Sequence, residues 1–164
     1  MDPSRYARLE DERRFLVGVV PDGATSPRRI EDRYVTGTRL RLRRVTDDRG
    51  SVLKLGHKRR CDEGRPSPVW HTTVYLDDAE YATLAALEAC TLEKRRWTHP
   101  GGGSVDEFLG ALAGLVLVEG DRPFELASPA IEVTADERFC GGALAALDAS
   151  GAAALVAEAQ GRAR

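Results

Sequence analysis

Side chains on a β-strand alternate between two faces, and in this chain charged residues repeatedly fall two positions apart. Glu10, Glu12 and Arg14 form one such row. Arg39, Arg41 and Arg43 form a second, with Leu40 and Leu42 on the opposite face. Lys54 and Lys58 share a face opposite Leu53 and Leu55, Lys94 shares one with Arg96, and Glu119 shares one with Asp121. Arginine offers a planar fork of donors that matches phosphate oxygens, and lysine offers a mobile point charge. The acidic pairs would repel phosphate unless they hold a cation, and carboxylate oxygens suit Mg²⁺ or Mn²⁺. A metal of that kind polarises a phosphoryl group and orients water for in-line attack. His71 is either a metal ligand, a general acid–base or a polar wall residue. No G-x-x-x-x-G-K-[ST] loop is present, so a P-loop mechanism has no support.

A single charged strand face is ordinarily a solvated one. Recurrence on five segments predicts that the faces meet inside a closed barrel, with apolar faces outward and covered by helices. The segments fit that plan. Residues 9–20 read as a strand that begins charged and ends apolar. Residues 30–45 read as one long strand or as two joined at Thr36-Gly37. Asp47 to Gly50 is turn chemistry, and Ser51 to Lys58 is the return strand. Residues 59–68, with Gly64, Pro66 and Pro68, read as a loop. Val69 to Leu76 is a strand, and Asp77 or Asp78 can cap a helix through Cys90, with Leu84 and Leu87 on its apolar face. Further strands are expected at 91–98, 105–109, 115–121 and 131–135. An Ala-rich helix follows over 140–160, interrupted at Gly151. Trp70 and Trp97 fall on apolar faces as packing residues.

The 164 residues fit one domain, 1–164, with 42% hydrophobic residues for a core. A formal net charge of −2 and only 6% aromatic residues argue against a nucleic-acid-binding barrel. No apolar run is long enough to span a membrane. Cys61, Cys90 and Cys140 form no CxxC pair and read as reduced thiols of a cytoplasmic protein.

These residues, taken in order, resemble the triphosphate tunnel metalloenzymes, the CYTH superfamily. Glu10-Asp11-Glu12-Arg13-Arg14 resembles the opening E-x-E-x-K motif. Ile30, Asp32 and Tyr34 precede Arg39-Leu40-Arg41, which resembles the paired arginines. Val52 to Gly56, Lys94-Arg95-Arg96, Val105 to Phe108, Glu119-Gly120-Asp121, and Glu132 to Phe139 follow in the expected order. The resemblance spans about residues 8–145. It implies a mainly β fold, a closed eight-stranded antiparallel barrel with flanking helices, and metal-dependent hydrolysis of a triphosphate or another phosphorylated small molecule. It also implies roles. Glu10 and Glu12 would hold a metal, with Glu119 and Asp121 as further ligands. Arg14, Arg39, Arg41, Lys54, Lys94, Arg96 and Arg138 would bind phosphate oxygens.

Two departures bear on that expectation. Arg14 stands where the motif has lysine, and His71 and Thr73 stand where the middle strand usually carries E-x-E. Inorganic triphosphate leads as substrate, with thiamine triphosphate or a nucleoside triphosphate behind it. The middle-strand change suits a diphosphate, a phosphate ester, or a binding protein without turnover. Cyclisation of ATP to cyclic AMP would need an adenine pocket that no sequence feature demands. Oligomeric state stays open, a homodimer included.

Overall fold

Alternating apolar and charged residues form ten strands among the described residues. The computed structural model describes residues 5–62, 64–126 and 129–163. The strands are β1 (Arg8–Glu10), β2 (Glu12–Val17), β3 (Thr25–Val35), β4 (Leu40–Asp47), β5 (Gly50–Arg60), β6 (Val69–Leu76), β7 (Ala89–Thr98), β8 (Ser104–Phe108), β9 (Val116–Asp121) and β10 (Ile131–Glu132). They make one antiparallel sheet in the order β1-β6-β5-β4-β3-β7-β8-β9-β2-β10. Helices α1 (Asp78–Ala85), α2 (Gly141–Ala145) and α3 (Ala149–Arg162) complete the fold.

The sheet is a curled half-barrel and not the closed eight-stranded barrel expected. The reason lies in the opening segment, which breaks at Asp11. Its first part, β1, pairs with β6 and places Glu10 opposite Val69. Its second part, β2, pairs with β9 and places Arg14 opposite Glu119. The free edge of β2 is taken by β10, with Ile131 opposite Leu16. The sheet therefore runs from β1 at one end to β10 at the other, and among the described residues no ladder joins the two. The curl still gathers the charged rows onto one concave face.

The turns follow local chemistry. Gly37 adopts a φ of 71° between β3 and β4, which a side chain would strain. Asp47 accepts from the Arg49 backbone N–H at 2.9 Å in the next turn. Asp77 and Glu80 form a reciprocal capping box on α1. That helix ends at Ala85, short of the expected Cys90, because the β3 ladder captures residues 89–98, with Tyr34 opposite Cys90. β10 is only two residues long, since Asp136 N–H turns back to the Val133 carbonyl. The C-terminal helix breaks before Asp148, which caps α3 by accepting from the Gly151 N–H at 2.7 Å. Gly151 thus sits in the first turn and does not interrupt the helix.

Apolar side chains pack on both faces. On the convex face, Leu42 and Leu53 meet Tyr81 and Leu84 of α1. Phe15, Val105, Val116 and Val118 meet Phe124, which lies in irregular chain. On the concave face, Leu16, Leu92, Phe108 and Leu117 continue the rows of Arg14, Lys94, Asp106 and Glu119. They pack against Phe139, Leu144 and Leu155. The C-terminal helices therefore plug one side of the hollow, where the sequence suggested that helices would cover only outward faces. No helix among the described residues is long and apolar enough to cross a membrane.

Candidate active site

What the plug leaves open is a cavity of about 320 Å³. Its acidic wall comes from β1, β2 and β9. Glu10 Oε1 lies 2.7 Å from His71 Nδ1, and Lys58 Nζ lies 2.7 Å from Glu10 Oε2. Burial alone would raise the Glu10 pKa, but the His71 hydrogen bond and the Lys58 charge outweigh it and hold the carboxyl at about 2. Glu119 accepts from Arg14 Nε at 2.7 Å and from Arg96 Nη2 at 3.0 Å. Burial would raise this carboxyl too, and the Arg14 and Arg96 guanidiniums hold it well below the usual range. Glu12 differs. Among the described residues it has neither an ion-pair nor a hydrogen-bond partner, while burial and the neighbouring charges of Glu119 and Glu10 push its pKa up.

The cationic wall is held by two buried aspartates. Asp32 receives Arg43 through both oxygens, at 2.6 and 2.7 Å, with Arg41 Nε 3.7 Å away. Asp106 receives Arg96 at 2.6 Å on each oxygen and Lys94 Nζ at 2.5 Å. Desolvation, with the Asp106 charge opposing it and the Arg96 and Arg43 charges adding to it, lowers the Lys94 pKa to about 8. Register explains these pairs. Asp32 sits opposite Arg43, and Asp106 sits opposite Arg96. Arg41 Nε is buried without a hydrogen bond. Arg39 is exposed in the β3–β4 turn at the cavity rim.

The cavity thus brings together Glu10, Glu12, Arg14, Arg39, Arg41, His71, Lys94, Arg96 and Glu119 from the residues singled out in the sequence. Three others lie outside its lining. Asp121 is exposed and paired with Arg8 at 3.2 Å. Arg138 is exposed and tied to Asp136 and Glu158 at 2.7 and 2.8 Å, joining a 3₁₀ turn to α3. Lys54 lies further along the concave face toward the β4–β5 hairpin, over the Tyr75 ring. Lys58, which shares a strand face with Lys54 but was given no phosphate-binding role from the sequence, lines the cavity as well. The sequence reading also gave no structural role to Asp32 and Asp106, whose inward parity matches their cationic partners. Among the described residues, no three His, Cys, Asp or Glu side chains form a ready-made metal cage. The unpaired Glu12, beside Glu10 and Glu119, nevertheless fits a cation, because positive charge there would relieve the repulsion that raises its pKa.

No family model matches the chain, and none of the curated proteins does. Two solved structures of NE1496 are similar to it, one described as a hypothetical protein and the other as an inorganic triphosphatase. Both have a TM-score of 0.55, at 28% and 27% identity, covering 83% and 85% of this chain and 97% and 99% of theirs. PH1819 from Pyrococcus horikoshii OT3 shares the fold alone, with a TM-score of 0.51 at 18% identity over 71% of this chain and 79% of that one. In motif order, in sheet and in these structural likenesses, the chain resembles the CYTH superfamily of triphosphate tunnel metalloenzymes.

Proposed function

We propose that this chain hydrolyses a phosphoric anhydride, with inorganic triphosphate as the first substrate and Mg²⁺ or Mn²⁺ as cofactor. One observation carries the reading: Glu12, half-buried and unpaired among the described residues, stands with Glu10 and Glu119 in a cavity whose facing wall is arginine and lysine. The likeness to a protein described as an inorganic triphosphatase supports the substrate class.

Arg39 and Arg41 stand nearest the rim and capture the anion. Arg96, Lys94 and Arg43 are fixed by Asp106 and Asp32, so their donors are oriented before substrate arrives. Glu12, with Glu10 and Glu119 beside it, would hold the cation, while exposed Asp121 would not. When bound, that cation would neutralise phosphate charge and polarise the phosphoryl group. If Glu10 accepts from the His71 Nδ1–H, the Nε2 of His71 is left to take a proton from the attacking water. Phosphate release from tripolyphosphate, assayed with and without each metal, tests the reading. No release with any divalent metal removes it.

A second reading rests on a different observation. Arg14, Arg43, Lys94 and Arg96 already carry carboxylate partners, and His71 and Thr73 supply no further acid. Such a site suits a less charged ligand, a diphosphate or phosphate ester, or binding without turnover. Calorimetric binding of tripolyphosphate, with no phosphate released, would favour it.

A further inference from the structure

The cavity opens beside the β3–β4 turn, but the cationic rows continue past it toward the β4–β5 hairpin. Arg28 lies opposite Arg96 in the β3–β7 ladder, so both side chains leave the same concave face. Lys54 lies opposite Arg43 in the β4–β5 ladder. Among the described residues neither has a carboxylate partner within hydrogen-bond or ion-pair distance. Among the described residues Arg28 has no hydrogen bond or ion pair, and its Nε is buried without a partner. Asp47, whose field Arg28 shares, is already held by Arg49 through its backbone N–H at 2.9 Å and its Nη2 at 3.2 Å. Lys54 lies over the ring of exposed Tyr75, 5.7 Å to its centroid, with no hydrogen bond or ion pair among the described residues. Its pKa is lowered by burial and then by the charges of Arg43, Arg41, Arg28 and Arg96. Like charges confined together without a counter-ion are costly unless a ligand supplies the missing negative charge.

We propose that Arg28, with Lys54, forms a second anion station at the hairpin end of the hollow. It takes the distal phosphate of a linear polyphosphate whose other end lies between Arg41 and Glu12. The inference rests on the proposed function and adds a preference for chain length. A short anion fills the central cavity alone. A longer one passes Arg43 and Arg96 and gains the fork of Arg28, which suits a terminal phosphate.

Calorimetry in EDTA, where metal-dependent turnover is absent, compares pyrophosphate, tripolyphosphate and tetrapolyphosphate on the full chain. Wild type should bind tetrapolyphosphate most tightly. R28Q should weaken tetrapolyphosphate binding by about tenfold, the effect of one lost charge-assisted contact, and leave pyrophosphate unchanged. R28K, which keeps the charge without the fork, should lose less, and only for the long anion. Equal losses at all three lengths, or no loss for tetrapolyphosphate in either variant, would overturn the second station and leave the proposed function standing. Failure of wild type to bind any of the three in EDTA would also overturn the second station, while the metal-dependent release assay decides the proposed function separately.

Discussion

Arg43 grips Asp32 across the β3–β4 ladder, Nε to Oδ1 at 2.6 Å and Nη2 to Oδ2 at 2.7 Å, with both side chains buried. An arginine held this way cannot swing to meet a substrate. It presents its remaining donors at fixed positions, and the same holds for Arg96 on Asp106. The orientation of the cavity's cationic wall is therefore set by folding, through two carboxylates.

That coupling sets a cost for breaking the pair. Asp32→Asn leaves Arg43 buried and uncompensated, with Arg41 nearby and equally cationic. Removing one partner of a buried pair costs about 3–5 kcal/mol. Urea unfolding should show a loss of that order, and anion affinity should fall as Arg43 loses its orientation. Unchanged stability would mean that the pair contributes nothing to the fold.

Glu12 predicts the opposite balance. Its ionised form is opposed by burial and by Glu119 and Glu10. Glu12→Gln should leave stability unchanged or raise it by about 1 kcal/mol, since repulsion is removed without opening a cavity. Metal-dependent phosphate release should fall at least about a hundredfold. Thermal unfolding and the release assay together separate this from a structural role, which would lower both.

Acid should unfold the protein through its paired carboxylates. The Glu10 and Asp32 pKa values are both held at about 2, from ordinary values of 4.5 and 3.8. A depressed pKa contributes stability that is present above the ordinary value and lost as pH falls through the folded one. Stability should therefore decline from about pH 4.5 to about pH 2. Glu12, raised instead, has the reverse sign. Its contribution is present below 4.5 and lost as pH rises through its folded value. Denaturant midpoints across this range should show a shallower acid slope for Asp32→Asn and a flatter limb above pH 4.5 for Glu12→Gln.

Strand alternation alone made the concave face legible, because parity is a property of sequence once a strand is recognised. Glu12, Arg41, Lys94 and Glu119 share one cavity for that reason. What parity could not disclose was how far each row lies along the hollow. Lys54 and Arg138 carry the right charge, yet register places Lys54 further along toward the β4–β5 hairpin and a turn at Glu137–Phe139 turns Arg138 to the surface. Closure was also beyond reach. The capture of the β2 edge by β10 is a pairing between residues far apart in sequence, Phe15 with Glu132 and Leu16 with Ile131. The short α1 failed for a similar reason, since a long β-ladder outweighed helix propensity at Cys90.

The middle strand offers the most discriminating change. His71 is the partner of Glu10, and Thr73 Oγ1 lies 3.3 Å from His71 Nε2. Restoring the two acids as H71E with T73E replaces an attractive pair by carboxylates facing Glu10, with Lys58 the nearby cation. In EDTA the double variant should be destabilised by like-charge repulsion, and Glu10 should titrate nearer its ordinary value. Added Mg²⁺ or Mn²⁺ should restore the lost stability in proportion to its binding, raising the thermal midpoint more than in wild type. If triphosphate release rises with it, the natural His71 and Thr73 pair limits turnover. If metal stabilises the variant and release does not rise, the pair is not what limits turnover. A thermal midpoint indifferent to metal in both proteins would show that this end of the cavity does not hold a cation at all.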